Sequence, residues 1–439
     1  MTNRATWWRR STIGISQLGF DFLCLFLVLV LKAAYDLSYI FLVSPYFSWT
    51  ATTYPLSPNP VKIIESYGLS LIIALMLPCR LKKPSDFVIL FFAFTLLLPM
   101  STLYGFADKD RAYMYMAVVM YFVVLGTNKH LPRFKIPTFR SGRGLAKLTA
   151  WSFVIATTFA LIQIGGFDYF NLRFWDYATM VTRRWEIQSR VQETGILAYL
   201  YFWLFIVFLP MLIMLSLVER KYMGFFALTM FQFLLTGITA RRHTLLVLPE
   251  LLWTYMLVRK MRVSSILMPL GFTGVVAIAS LLFFCVQSLN FVGPWMERYF
   301  FAPARINFGY YEFFSQFGYV YLSSTKLGLT PYPFEMIPER MVGYYVFNNP
   351  ETVASAGILA TSYMHFGFGG MVIFGIITGS LMRLVDSLII KRTPLEVGVP
   401  LCIVIFDGLF RGADLTTWFL TFGGFVGLVM LFLLGERRA

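Results

Sequence analysis

Arginine is concentrated in the segments that separate the long apolar blocks of this 439-residue chain. One of these segments is the short turn GITARRHTLL at 237–246, where two arginines and a histidine interrupt an apolar sequence with almost no loop to carry them. A guanidinium group is a planar fork that binds phosphate through two parallel hydrogen bonds, whereas a lysine ammonium is a point charge. Phosphate binding is therefore the chemistry that these residues favour. The ten arginines are Arg173, Arg183, Arg184, Arg190, Arg241, Arg242, Arg298, Arg305, Arg340 and Arg411.

The elements that must position these arginines are membrane spans. Hydrophobic residues make up 58% of the chain and charged residues 13%, and the mean hydropathy is +0.69, whereas a soluble domain carries about 25% charged residues. Most of the apolar blocks have the length of about 20 residues that a bilayer requires. We therefore predict an all-α polytopic membrane protein with about twelve spans, forming one integral membrane domain over residues 1–439. The blocks lie at 13–34, 66–79, 86–106, 111–126, 148–166, 195–218, 223–240, 244–258, 264–289, 354–387, 397–411 and 416–435.

The distribution of lysine and arginine between the blocks predicts the orientation. Basic residues precede the first block and follow every even-numbered block, including the last. Cytoplasmic loops carry the excess of positive charge, so both termini are expected in the cytoplasm of a bacterial inner-membrane protein. The odd-numbered gaps then face the periplasm, and two of them, 167–194 and 290–353, form large periplasmic loops. The ten arginines are predicted to lie on this outer side, although basic residues are usually concentrated in cytoplasmic loops. Their presence there therefore has to be explained.

A lipid-linked anion is one reason, and simple contact with membrane lipids is another. A cluster of arginines beside the outer leaflet predicts a ligand that bears phosphate and is anchored in the bilayer. Arginines near the ends of spans also snorkel to lipid headgroups without any other function. The net charge of +15 reflects the cytoplasmic loops, and no aromatic-basic motif predicts binding to nucleic acid.

A helix is predicted within the second long loop. Pro303 suits the first turn of a helix, because its missing N–H costs nothing there. A helix from this point places Arg305, Gly309 and Glu312 on one face, with Arg305 at a helix start that favours anions. The sequence NPETVASAG at 349–357 repeats the start signal, and its small residues predict a closely packed amphipathic piece before the tenth span. Ordinary loop helices would give the same patterns.

Each long loop also contains an arginine followed by ten residues and a glycine, namely Arg184 to Gly195 and Arg298 to Gly309. With about twelve spans, both termini inside and the basic outer turn TGITARRHTLL, this pattern resembles the Wzy-type O-antigen polymerases, which are related to the O-antigen ligases. In that family the spacing in the second loop is one residue shorter than it is here.

The resemblance implies a GT-C-like glycosyltransferase of lipopolysaccharide biosynthesis that polymerises undecaprenyl-pyrophosphate-linked oligosaccharide repeat units at the periplasmic face. The donor is the growing glycan, and the acceptor is a single lipid-linked unit whose terminal sugar hydroxyl attacks the anomeric carbon of the donor. Arg184 and Arg298 take the catalytic loop-arginine roles, and Arg241 and Arg242 bind substrate at the outer turn. Arginines stabilise the leaving pyrophosphate, so no metal or other cofactor is required. A chain-length regulator protein is a further candidate partner.

Other residues complete the predicted site. Arg305, Arg340 and His243 are expected to bind substrate, His243 through a phosphate oxygen or a sugar hydroxyl unless it is an ordinary interface residue. A carboxylate would accept the proton of the acceptor hydroxyl, and Glu312 is preferred because of its predicted face. The other candidates on the outer side are Asp168, Glu193, Glu297 and Glu339.

Two alternative functions remain open. An O-antigen ligase, which transfers the glycan to a lipid A core, carries a histidine in the large periplasmic loop, but no histidine lies between His243 and His365. A flippase or other transporter of lipid-linked oligosaccharide predicts internal repeats and a charged central cavity. No half-length repeat is visible, and the few carboxylates deep in spans (Asp21, Glu250 and Asp407) are expected to be spread out rather than paired.

Two short motifs receive structural interpretations. Asp108-Lys-Asp110 is a DxD sequence, which holds a metal in some glycosyltransferases, and we interpret it as a solvated turn. Gly375 and Gly379 have small-xxx-small spacing, which predicts close contact between two membrane helices.

Overall fold

The part of the chain that the computed structural model describes is helical, with no β-strand in it. That part comprises residues 17–48, 53–78, 81–139, 141–163, 170, 182–183, 186, 195–239, 243–261, 263–286, 292–325 and 330–435. Its helices are α1 17–47, α2 Pro60–Met76, α3 Pro84–Phe106, α4 Arg111–His130, α5 Gly142–Gln163, α6 Ile196–Val218, α7 Tyr222–Thr239, α8 His243–Arg259, α9 Ser264–Cys285, α10 292–317, α11 Pro338–Phe347, α12 Ile358–Ile389, α13 Leu395–Arg411, α14 Leu415–Leu420 and α15 Gly424–Leu434.

Seven of these described helices are long and apolar enough to cross a membrane, namely α1, α3, α5, α6, α7, α9 and α12. The predicted all-α, multi-pass membrane architecture is therefore confirmed in outline. The remaining predicted blocks also form helices, but these are shorter or more polar; α2, α8 and α13 each have 17 residues. About twelve spans and a GT-C-like arrangement remain predictions.

Prolines shape four of the long helices. In each of α1, α3, α6 and α10 a five-residue π-helical turn ends two residues before a proline: Pro45, Pro99, Pro210 or Pro303. Proline has no N–H to donate, and its ring clashes with the carbonyl four residues earlier. A local widening of the helix is one way in which the chain continues past it.

The π turn in α10 alters the predicted surroundings of Arg305. The helix does not begin at Pro303 but continues from Val292 through the π turn Glu297–Phe301, so Arg305 lies inside the helix. The prediction of an anion site on free N–H groups beside Arg305 is therefore wrong. The physical reason is that the preceding turns supply carbonyl acceptors; the N–H of Ala302, for example, donates to Glu297 O.

The segment after α11 also differs from the prediction. No helix begins at Asn349-Pro350; instead Asn348 adopts a left-handed conformation that ends α11, and the chain then runs without helix to Ile358. Its small residues do pack closely, because a Cβ added to Gly357 would lie 1.9 Å from Phe410 O. Ala354 is buried, and its N–H donates to Glu339 O at 2.9 Å, which holds the segment in the core rather than at a lipid interface.

The predicted contact at Gly375 and Gly379 joins α12 to α4. A Cβ added to Gly379 would lie 2.6 Å from Thr127 Cβ and 2.8 Å from Val124 O. The missing side chain allows the two helix backbones to approach, and this contact anchors α12 against the helix that begins directly after the DxD turn.

Substituting alanine for Gly379 is expected to lower stability by about 1–3 kcal/mol, because the new methyl group overpacks this contact. Gly369, in the same helix, is exposed with nothing within 4 Å of an added Cβ. Gly369→Ala is therefore the matched control, and we expect it to be neutral or to stabilise by about 0.5–1 kcal/mol. The thermal unfolding midpoint of each purified variant measures the difference, and equal midpoints would contradict the packing role of Gly379.

Candidate functional site

The predicted face of α10 forms an ionic cluster with a residue from a distant turn. Arg305 Nη1 lies 3.2 Å from Glu312 Oε2, as the helical spacing predicts, and Lys109 Nζ lies 2.8 Å from Glu312 Oε1. Arg305 also donates through Nε to Thr53 O at 3.0 Å. Arg305 is only 2% exposed, so it joins the segment at Thr53, the turn before α4 and helix α10.

Lys109 was not among the predicted site residues, although it stands at the centre of the DxD turn. Asp110 caps α4 by accepting from Tyr113 N, and Asp108 pairs with Lys62 at 2.7 Å. The two carboxylates therefore fix the turn, which directs the lysine between them to Glu312. Burial and the nearby charge of Arg305 lower the pKa of Lys109, against the opposing effect of Glu312. The signal in the sequence was a lysine between two carboxylates, of which Asp110 lies directly before the helix start at Arg111.

Glu312 has a different environment from the one expected of a general base. Each of its carboxylate oxygens accepts a hydrogen bond from a cationic side chain, one from Lys109 and the other from Arg305. Such an ion-paired carboxylate holds neighbouring cations in position. This geometry favours a positioning role for Glu312 over the proton-accepting role.

Glu297 lies deep in the same helix and is hydrogen-bonded by the hydroxyl of Tyr54. Burial raises the pKa of Glu297 to about 7, although the Tyr54 hydrogen bond and the charge of Arg298 oppose this rise. The segment at Thr53 and Tyr54 thus contacts α10 at two points, which sequence spacing could not indicate.

The raised pKa of Glu297 predicts a pH-dependent stability. A carboxyl whose pKa rises from 4.5 in the unfolded chain to about 7 in the folded protein keeps its proton on folding. Between these two values the folded state binds more protons, so stability falls as the pH increases and levels off above about 7. We expect Glu297→Gln, which can still accept the Tyr54 hydrogen bond, to reduce this fall. Thermal midpoints between pH 5 and about 7 measure it, and identical slopes would contradict the assignment.

The exposed arginines of this region lie on α10 and α11. Arg298 belongs to the π turn of α10, and both it and Arg340 are exposed. The two helices pack at Gly309, where an added Cβ would lie 2.3 Å from Val346 Cγ2. The glycine of the predicted Arg–ten–Gly pattern is therefore a helix-packing residue, and Arg298 lies in a helix rather than in an irregular loop.

Part of the first long loop meets the basic turn. Arg183 Nη2 donates to Gly237 O at 3.4 Å, near the end of α7. This contact brings Arg183, the residue before Arg184 in the sequence, to the last turn of α7, which precedes Arg241 and Arg242 in the sequence. Arg184, Arg241 and Arg242 themselves lie outside the described residues, as does the side chain of His243, with which α8 begins. The other loop carboxylates Asp168 and Glu193 also lie outside them.

A cavity of about 320 Å³ separates the first half of α8 from the start of α10. Leu246 and Pro249 line it on the side of α8, and Val292, Met296 and Tyr299 on the side of α10. Its other lining residues, four of which belong to α9, are apolar except for Glu250. The helix that follows the basic turn and the helix that carries Arg298 therefore face each other across an apolar space.

Ionisable side chains lie together beside this cavity, which corrects for Glu250 and Asp407 the expectation that the carboxylates in spans are spread out. Arg411 is ion-paired with Asp407 and donates through Nη1 to Tyr299 O at 2.9 Å. This carbonyl lacks its usual helical donor, because the residue four positions later is Pro303, which has no N–H. Glu250 lines the cavity and interacts electrostatically with both members of the pair. Helix packing brings α8, α10 and α13 together here, although their charged residues are far apart in the sequence. A second buried pair, Lys32 with Asp36, lies in α1.

Comparison with known proteins gives no relative: no protein-family model, no curated protein and no solved structure matches this chain.

Proposed function

We propose that the protein is a glycosyltransferase that polymerises undecaprenyl-pyrophosphate-linked repeat units at the periplasmic face of the bacterial inner membrane. The observation that carries this proposal is the arrangement around the cavity between α8 and α10. The basic turn leads into α8, and α10 carries Arg298. Arg183 of the first loop contacts Gly237 at the end of α7, the helix before the basic turn. The helix that follows the basic turn and the helix that carries Arg298 thus line one apolar space.

This arrangement suits a lipid diphosphate. The apolar cavity would receive the part of the polyprenyl chain nearest the headgroup, and Arg298, Arg241 and Arg242 would bind the pyrophosphate, with Arg184 contributed by the first loop. Arg340 and His243 remain candidate contacts to the substrate. Guanidinium groups placed before the reaction stabilise the charge that develops on a leaving group, and each such donor contributes a few kcal/mol.

The proposed reaction is one displacement at the anomeric carbon of the donor. The acceptor hydroxyl forms the new glycosidic bond as the bond between the anomeric carbon and the pyrophosphate oxygen breaks. The electron pair of that bond leaves with the pyrophosphate, and the hydroxyl proton passes to a carboxylate or to the departing phosphate. In this scheme Glu312 and Lys109 hold Arg305 and α10 in place behind the exposed Arg298.

One observation favours a second candidate, a transporter or flippase of lipid-linked oligosaccharide. Transporters place ionisable residues in the membrane as ion or proton sites, and Glu250 beside the Arg411–Asp407 pair is a feature of that kind. A transporter that releases its substrate has no need for a cluster of arginines that binds the pyrophosphate on the outer side. We therefore rank this function second.

Reconstitution of the purified protein with an undecaprenyl-pyrophosphate repeat unit tests the proposal. We expect a ladder of products that differ by one repeat unit on a gel. Transfer only to an added lipid A core would instead indicate a ligase, and movement of the lipid between leaflets without new glycosidic bonds would indicate a flippase. Either of the last two results would overturn the polymerase assignment.

A further inference from the structure

A second and larger crevice opens on an exposed apolar side of the helix bundle and is lined by none of the helix α10 residues that surround Arg298. It has a volume of about 750 Å³ and runs between α5 and α7, with α6 behind it. Its walls are apolar, with Trp151 and Ile155 on α5, Leu212 on α6 and Ala227 on α7. Ile155 is 65% exposed, as expected of a wall that contacts lipid chains rather than protein.

Three cationic side chains surround one carboxylate at one end of this crevice. Glu219 accepts hydrogen bonds from Lys147 and from Arg143, the latter at 2.9 Å, and lies 3.2 Å from Lys221 Nζ. Lys147, Glu219 and Lys221 line the crevice itself. Burial would raise the pKa of Glu219, but the hydrogen bonds from both lysines and the charges of Lys147 and Arg143 hold it below its ordinary value.

The charges in this cluster do not balance. Because Glu219 is ionised, three positive charges oppose a single negative one, which leaves an excess of two at the mouth of an apolar groove. Lys221 is well exposed, with 68% of its side chain accessible, and can donate to another anion while it remains near Glu219. The turn that carries Glu219 and Lys221 follows the sixth predicted span. The distribution of basic residues assigns this turn to the cytoplasmic side.

We propose that this crevice is a binding site for an anionic glycerophospholipid of the cytoplasmic leaflet, with its phosphate at the Lys147–Lys221 cluster and an acyl chain between α5 and α7. Basic pockets between membrane helices at the cytoplasmic side recognise anionic headgroups. The site does not depend on the proposed enzymatic function, since its charged cluster lies at the opposite end of α7 from the basic turn and on different helices from the one that carries Arg298.

Native mass spectrometry of the full chain tests the site with two lipids of identical acyl chains, phosphatidylglycerol and phosphatidylcholine. We expect phosphatidylglycerol to bind about thirtyfold more tightly, because each of two lysines near a membrane surface contributes about 1 kcal/mol. Lys147→Gln/Lys221→Gln should abolish this preference. Lys260→Gln, an exposed lysine on another turn of the same predicted side, is the charge control and should behave as the wild type does.

A steric variant tests the groove independently of the cluster. Ala227→Phe fills the crevice and should reduce the binding of both lipids, whereas Ala277→Phe, on an exposed face of α9 away from it, should not. Free glycerol 1-phosphate should bind weakly or not at all, because it lacks the acyl chain. Equal affinity for the two lipids, unchanged preference in the lysine variant, or unchanged binding in Ala227→Phe would each overturn the proposal.

Discussion

Replacing Arg298 by alanine is expected to reduce the rate of glycan elongation by about two to three orders of magnitude, while the protein remains folded in the membrane. A preorganised donor that stabilises a developing negative charge typically contributes this much to the rate. The side chain of Arg298 is exposed, so its removal leaves little cavity behind. The measurement is the initial rate of ladder formation from a purified undecaprenyl-pyrophosphate repeat unit.

Two comparisons make this prediction specific. Arg298→Lys keeps the charge but loses the bidentate geometry, so we expect an intermediate rate. Arg259→Ala removes an exposed arginine at the opposite end of α8, on the predicted cytoplasmic side, and should retain full activity. If Arg298→Ala and the corresponding Arg241→Ala variant both elongate at the wild-type rate, the pyrophosphate is not held by these arginines, and the proposed mechanism is wrong.

Replacing Glu312 by glutamine is expected to destabilise the fold by about 2–4 kcal/mol, the largest stability effect that we predict at the candidate site. Removing one partner of a buried ion pair leaves an uncompensated charge, which typically costs about 3–5 kcal/mol, and the partial exposure of Glu312 reduces this figure. Here the loss leaves Lys109 and Arg305 beside each other with no carboxylate between them. Thermal unfolding of the purified variant measures the loss.

The same cluster predicts a rescue and a pH effect. Adding Lys109→Gln to Glu312→Gln removes one of the two repelling cations, so the double variant should be more stable than the single one. The pKa of Lys109 is already lowered, by burial and by Arg305, and it should fall further without Glu312. The destabilisation of Glu312→Gln should therefore shrink as the pH is raised and Lys109 loses its proton. A double variant that is less stable than the single one would show that the three side chains do not act as a unit.

Local patterns in the sequence were sufficient for several features of the fold. The helical character and the multi-pass membrane architecture follow from the length and hydropathy of the blocks, because a bilayer requires long apolar helices. The Arg305–Glu312 pair and the Gly375–Gly379 contact also followed from spacing alone, since helical geometry fixes which nearby residues share a face. The error at Pro303 arose because proline is compatible both with a first turn and with a π-widened helix. At Asn349-Pro350 the chain instead leaves α11 through the left-handed Asn348 and continues without a helix.

Only the tertiary structure brought together residues that are far apart in the chain. Lys109 meets Glu312 across 203 positions, Tyr54 meets Glu297 across 243, and Arg183 reaches Gly237 across 54. The proximity of Glu250 to Asp407 and Arg411 has the same origin, whereas the sequence predicted the two carboxylates to be dispersed. Hydropathy determines that a helix lies in the membrane but not which neighbour it packs against, because lipid and protein surfaces are similarly apolar. Which helices become neighbours depends on how small residues, kinks and buried charges fit together over the whole bundle. A short window of the sequence therefore cannot predict the packing.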